Sequence, residues 1–290
     1  MATVTQALAE KREQPVFICD FSPPRGAKPE YFDDARALEA DFICVAYNPG
    51  KAVRVDSVAA AHEIKRVTGR DTVFNLSPRD MNRLALESRL LGAQLLGLEN
   101  VVVVQGDAFT ERDPSTAVKD YTATGLIAAI SRLNTGVDHK SSRLRAPTQF
   151  AVGASIDLGR GIEQEARLSR RKVEAGAQFF ISQPVFTVSE MEDFLDAYSD
   201  VAPGPLAQPV FWGLQILTKE GVLFSNVPAD LMRDLEQGRD GVDIALESYA
   251  LFREAGVHGI YLVSPILRGG ARDYTAAQRF LREVQSSPVS

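Results

Sequence analysis

Residues 162–186, IEQEARLSRRKVEAGAQFFISQPVF, decide the fold. Up to Ala175 the apolar residues fall at helical spacing beside charged ones, as an amphipathic outer helix requires. Gly176 supplies the left-handed residue that commonly stops a helix before the chain turns back. From Phe179 the chain enters an apolar run that does not alternate with polar residues, the pattern of a strand covered on both faces. Helix, glycine stop and buried strand form one unit.

That unit recurs along the whole chain. Apolar runs occupy 16–20, 42–48, 72–77, 100–107, 150–157, 179–186, 209–217 and 259–266, and VVVV at Val101–Val104 is the clearest unbroken one. Helical patterns at 57–67 and 80–96 precede strands as 162–175 does, and Gly69, Gly97 and Gly256 stand at helix ends like Gly176. Eight buried strands alternating with helices predict a parallel (β/α)8, or TIM, barrel. Such barrels commonly run to about 250 residues as one unit, so 1–290 reads as a single barrel domain. Two connections, 108–121 and 218–241, exceed what a barrel needs, and long barrel loops usually serve the substrate.

Composition narrows the function. A net charge of −6 without long like-charge blocks argues against a nucleic-acid surface, which needs clustered Lys and Arg. No apolar run approaches the roughly 18 residues that span a bilayer, and the opening MATVTQALAEKREQP lacks the apolar core of a signal peptide. A cytoplasmic enzyme acting on a small molecule is expected. Cys19 and Cys44 both fall inside strands, where a reduced thiol serves as a small apolar residue. The three histidines, His62, His139 and His258, sit at no strand end, which argues against a zinc site and against a Ser-His-Asp hydrolase.

Barrel chemistry sits at the carboxyl ends of the strands. Read there, the chain offers Asp20, Asn75 and Ser77, Gln105 and Asp107 around Gly106, Ser155 and Asp157, Gln183, Gln215, and Ser264 ahead of Arg268. A carboxylate ending an apolar run, like Asp20, either finds a partner such as Arg25 or is a candidate general acid. Asp107 follows a glycine, so it reads equally as turn chemistry. Gln183 lies inside the apolar FFISQPVF, where its amide needs a partner from a ligand or a neighbouring strand. The segment Arg268-Gly269-Gly270-Ala271-Arg272 opens the last helix, where barrels often bind phosphate, and its arginines have Asp273 or other acids as alternative partners.

Three of these segments carry a resemblance. CDFSPPRG (19–26) looks like the F-E-F-x-P-P segment of methylenetetrahydrofolate reductases, VVVVQGD (101–107) resembles their L-R-G-D strand, and RRKVEAGAQFFISQPVF (170–186) is similar to their K-x-D-A-G-A-x-x-x-I-T-Q-x-F-F segment. The resemblance implies reduction of 5,10-methylenetetrahydrofolate to 5-methyltetrahydrofolate, with hydride from NAD(P)H passing through FAD. It gives Asp20 the place of the general acid and Asp107 that of the aspartate beside flavin and pterin. Gln183 takes the place of the folate-contacting glutamine, with Gln215 and Phe224 as further substrate positions. Asn75, Ser77, Gln105, Gly106, Ser155, Asp157 and Lys172 fall on the cofactor side. The chain departs from the family at Asp20, which replaces a glutamate and is about 1.5 Å shorter. It departs again at Asn75 for a histidine, Gln105 for an arginine, and ASIDLG (154–159) for Y-P-E-x-H-P. These changes imply weakly held FAD or direct hydride transfer from NAD(P)H. The alternative is a non-redox tetrahydrofolate-binding protein or subunit.

Overall fold

The computed structural model describes residues 2–12, 14–223 and 227–286, and in it the eight expected strands close into a barrel in sequence order. They are β1 (Val16–Phe21), β2 (Phe42–Val45), β3 (Asp71–Leu76), β4 (Asn100–Val103), β5 (Ala151–Ile156), β6 (Phe179–Pro184), β7 (Val210–Gln215) and β8 (Gly259–Val263). Every neighbouring pair is parallel, and β1 meets β8 with Val16 opposite Gly259 and Cys19 opposite Leu262. The helices are α1 (Val4–Lys11), α2 (Ser57–Thr68), α3 (Arg83–Leu95), α4 (Ala123–Leu133), α5 (Ile162–Glu174), α6 (Val188–Val201), α7 (Ala229–Glu236), α8 (Gly241–Glu254) and α9 (Tyr274–Ser286). None is long and apolar enough to cross a membrane.

Strand periodicity sorts the residues into two layers, because successive side chains point to opposite faces. Ile18, Phe42, Cys44, Val73, Val102, Phe179, Ile181 and Phe211 pack together inside the barrel. Phe17, Cys19, Ile43, Phe74, Val101, Val152, Phe180 and Trp212 pack outward beneath the helices. Gly153 is required by this filling: a Cβ there would stand 2.4 Å from the Phe179 ring. Both thiols are buried and free, and burial, then the nearby Asp20 charge, pushes their pKa values up. They act as apolar filling.

The differences from the sequence reading lie at element ends. β2 and β4 stop earlier than the runs 42–48 and 100–107: Ala46 and Val104 each donate one further bond, to the Phe21 and Leu76 carbonyls, and the polar residues after them turn into the rim loops. The helix expected over 80–96 begins at Arg83. Pro78–Asp80 form a short turn first, and Asn82 then caps the helix by accepting the Ala85 N–H at 2.9 Å. Gly69, Gly97, Gly176 and Gly256 have φ of +71°, +73°, +107° and +78°, as helix stops should. Helix α1 was not expected. It carries a Thr3–Gln6 capping box, and its Val4 is fully buried with an N–H donated to Asn100 Oδ1 at 2.9 Å, which plugs the amino-terminal end of the barrel. The connection after α4 is also long and folds back, so that the His139 backbone and ring both bond Glu87 of α3.

Candidate functional site

One step further along the inward positions, the filling turns polar: Asp20 follows Ile18, Asn75 follows Val73, Gln183 follows Ile181, and Gln215 ends β7. Asp20 is 4% exposed, yet both of its oxygens are engaged. Oδ1 accepts from the Tyr261 hydroxyl at 3.0 Å, and Oδ2 accepts from Arg272 Nε at 2.9 Å. Its partner is therefore Arg272, not the Arg25 anticipated from the sequence. Burial works against the Arg272 charge, but Asp20 outweighs it and holds the guanidinium pKa above its ordinary value. Burial and then Asp20 push the Tyr261 hydroxyl well up, so it stays a proton-bearing donor. As it stands, Asp20 is an acceptor between two donors.

Gln183 owes its position to an irregularity. The β6–β7 register shifts between Ile181 and Pro184, and a Cβ on Gly213 would lie 2.7 Å from the Gln183 carbonyl, so only glycine lets the bulged strand approach. Ser182 Oγ pins the bulge by accepting the Gly213 N–H at 2.8 Å. Bulges of this kind re-aim a side chain. The Gln183 side chain is exposed, which corrects the expectation that its apolar surroundings would bury it. Gln215 is 5% exposed; its Nε2 donates to the Val222 carbonyl at 2.9 Å, while Oε1 is buried with no hydrogen-bond partner. Such an atom in a native site calls for a ligand or water. Phe224 lies outside the described residues.

The loop after β4 is held by a residue the sequence reading overlooked. Arg79 is 7% exposed, clasps Asp80 with two bonds of 2.6 and 2.7 Å, and donates to the Asp107 carbonyl at 2.8 Å. Its guanidinium also lies 4.3 Å from the Phe109 ring centre. Gly106 has φ +75° with Ser77 Oγ where a Cβ would go, so glycine is mandatory there. Ser77 itself is fully buried, donating to the Gln105 carbonyl and accepting the Arg79 N–H. It braces the loop and presents nothing to a ligand. Asp107 stays exposed at the rim, and Lys51 clamps the loop beyond it through Asp113 at 2.7 Å.

On the other side of β4, a cleft of about 510 Å³ opens between α4 and α5 above β4 and β5. Gln105, Ser155 and Lys172 line it, together with Thr122, Arg160 and Arg171. Gln105 Oε1 caps α4 by accepting the Ala123 N–H at 3.3 Å. Lys172 donates to Glu165 Oε1 at 2.7 Å and to the Ser155 carbonyl. Burial, more than the pair's attraction offsets, drives Glu165 up and Lys172 down in pKa. Asn75, Ser77, Gly106 and Asp157 do not line this cleft. Asn75 Oδ1 faces Cys44 Sγ at 3.4 Å, and Asp157 caps its own turn through the Gly159 N–H and Arg160.

In the loop Arg268–Arg272 the two arginines part company. Gly269 and Gly270, at φ +84° and +83°, turn Arg272 inward to Asp20, while Arg268 stays exposed and Asp273 caps α9 through the Ala276 N–H. Among the described residues, no group of three or more His, Cys, Asp or Glu side chains is placed to hold a metal ion.

Residues 3–251 match the family described as methylenetetrahydrofolate reductase. The chain belongs to the methylenetetrahydrofolate reductase family. The match ends before β8, so Tyr261 and Arg272 lie beyond it. Among solved structures, the chain is similar to an uncharacterised protein from Clostridium thermocellum that binds two copies of 5-methyl-5,6,7,8-tetrahydrofolic acid. That likeness has 13% identity and a TM-score of 0.68, covering 98% of this chain and 99% of the other. It is also similar to 2,3-dimethylmalate lyase, a member of the PEP mutase/isocitrate lyase superfamily, at 12% identity and a TM-score of 0.53 over 96% and 84% of the two chains. At such identities the likeness concerns the barrel fold alone.

Proposed function

We propose that the rim formed by Asp20, Asp107, Gln183 and Gln215 binds a reduced folate, and that the chain reduces 5,10-methylenetetrahydrofolate to 5-methyltetrahydrofolate. The observation that carries this reading is the pair of amides, one aimed by a bulge and one with an orphaned buried oxygen, at the mouth of a barrel of this family. A pterin edge alternates N–H donors with acceptors, so amides that both give and take hydrogen bonds suit it. The name of the Clostridium thermocellum relative also points to a reduced folate as ligand.

In this reading Asp20 takes up a proton from solvent as its contacts rearrange and delivers it to N10 of the bridged substrate, the five-membered ring opens to an N5 iminium, and hydride reaches the methylene carbon. Catalytic contacts often rearrange between the free and the occupied site, and here the substrate's N10 edge would displace Tyr261 from Oδ1. Exposed Asp107 then balances the cationic iminium by charge. The cleft lined by Gln105, Lys172, Arg160 and Arg171 offers cations of the kind a dinucleotide's phosphates take. FAD bound there would relay hydride from NAD(P)H. The missing family arginine at Gln105 leaves that hold weak, and NAD(P)H laid directly on the pterin is the alternative route.

A second reading, a folate-binding protein without redox chemistry, is favoured by Asp20 standing as an acceptor between Tyr261 and Arg272. Calorimetry with 5-methyltetrahydrofolate, followed by pyridine-nucleotide oxidation assays with the methylene substrate, separates the two. Binding without turnover supports the second, and absence of binding overturns both.

Two variants test the parts. Gln183→Ala is expected to weaken folate binding by about 1–3 kcal/mol, the cost of leaving polar partners unpaired. An unchanged dissociation constant would make the bulge purely structural. Gln105→Arg is expected to tighten FAD by roughly 1.5–3 kcal/mol through a charge-assisted contact. Titrating both proteins with FAD checks this: tight stoichiometric binding by the unmodified chain refutes the weakened site, and a variant still indifferent to FAD favours direct transfer.

A further inference from the structure

Three loops at one corner of the rim bring arginines together. Two bonds tie the loop after β2 to the loop after β1: the Val55 N–H donates to the Pro24 carbonyl at 2.9 Å, and Arg54 Nη1 donates to the Pro23 carbonyl at 3.1 Å. Arg25 follows directly and is exposed. From the loop after β8, Gly270 comes so close that a Cβ on it would stand 3.3 Å from Arg54 Nη2, and Arg272 is two residues further on. Arg25, Arg54 and Arg272 therefore share the corner where β8, β1 and β2 open.

That corner is short of acid. Asp20 takes Arg272, and among the described residues no carboxylate lies within ion-pair distance of Arg25 or Arg54. Arg54 is half-buried, and its Nε is enclosed without a hydrogen-bond partner. Burial first, and then the charges of Arg25 and Arg272, hold the Arg54 guanidinium below its ordinary pKa, the mark of a cation without a counter-ion. The chain as a whole has acids to spare, with a net charge of −6. Uncompensated guanidiniums beside the rim therefore call for an anion from outside. Their planar forks suit a carboxylate.

The direction of the site selects the anion, and this step rests on the folate reading of the rim. A pterin held by Gln183 on β6 and Asp107 beyond β4 places N10 at Asp20 on β1. The remainder of the molecule, an aminobenzoyl ring and a glutamate, then leaves the mouth on the side of β1 and its neighbours β2 and β8. That side is the arginine corner, and a glutamate carries a carboxylate for each of the unpaired guanidiniums. We infer that Arg25 and Arg54 form a carboxylate site for the glutamyl tail of the folate, so that this chain recognises the tail as well as the pterin. Arg272 stays with Asp20 at the inner edge of that site.

Calorimetry with 5-methyltetrahydrofolate and with 5-methyltetrahydropteroate, which lacks the glutamate, tests the site. The unmodified chain is expected to bind the folate about tenfold more tightly or better, the value of one charge-assisted hydrogen bond or more. In the double variant Arg25→Gln, Arg54→Gln that ratio should fall toward one. Arg25→Gln alone, at an exposed position, should show part of the fall even if the double variant folds poorly. Equal affinity of the unmodified chain for the two ligands, or a preference that survives both variants, overturns the tail site and leaves the pterin reading standing. If neither ligand binds, the folate reading of the rim falls and the tail site with it. Titration with NADPH separates the other source of anions: variants that lose NADPH while keeping the glutamyl preference assign the arginines to a nucleotide phosphate and overturn the inference.

Discussion

Arg272→Met is expected to lower the stability of the folded chain by about 3–5 kcal/mol, because it strands the Asp20 carboxylate in a buried site with a single remaining donor. Both side chains of the pair are 5% exposed, so water cannot replace the guanidinium. Urea denaturation of the two proteins measures the difference. The double variant Arg272→Met, Asp20→Asn should recover part of the loss, since removing both charges also removes the desolvation burden. A single-variant loss below about 1 kcal/mol, the value of an exposed pair, would mean that Asp20 is hydrated in solution.

Asp20→Asn is expected to reduce turnover of methylenetetrahydrofolate by 10²-fold or more while folate still binds, because the amide keeps the shape and cannot deliver a proton. Rates are compared at saturating substrate, with thermal melting as a control for the charge left on Arg272. If the variant keeps more than about a tenth of wild-type turnover, against the 10²-fold or greater loss usual for a general acid, Asp20 is not the acid. It would then remain the acceptor that anchors Tyr261 and Arg272.

The barrel was legible because its signal is repeated and local. Each strand is an apolar run, each helix is patterned, and glycines such as Gly69 and Gly176 mark the returns with backbone angles few other residues adopt. Strand ends were less legible, since apolarity continues past the last paired residue, as at Val104 after β4, which keeps one bond to the Leu76 carbonyl before the chain turns into the loop. Within the site, reading the carboxyl ends of the strands led to Asp20, Asn75, Gln183 and Gln215. It failed for Ser77 and Asp157, where a hydroxyl and a carboxylate satisfy backbone N–H groups of their own turns. A short polar side chain at a strand end can do either, and sequence alone does not separate the two.

Arg79 and Arg272 were missed for another reason. Arg79 follows a proline in an ordinary-looking turn, and its importance comes from the loop that returns over it. Arg272 reaches Asp20 across 252 residues of chain, and Tyr261 across 241. Neither contact leaves a local trace, and both partners lie beyond the part of the chain that matches the family. A basic residue near a glycine pair in the last loop was visible, but its direction was not.

The distance between Asp20 and Arg272 along the chain also sets a clock on synthesis. At about 5–20 residues per second, a ribosome needs roughly 12–50 s to advance from one residue to the other. Throughout that interval β1 has no β8 beside it, and Asp20 sits on an open strand edge without its counter-ion. Unpaired edges of nascent sheets are where chains associate wrongly. The seam that completes the site is thus the last part of the barrel to become safe, and a chain that ends before β8 would leave the barrel open along β1.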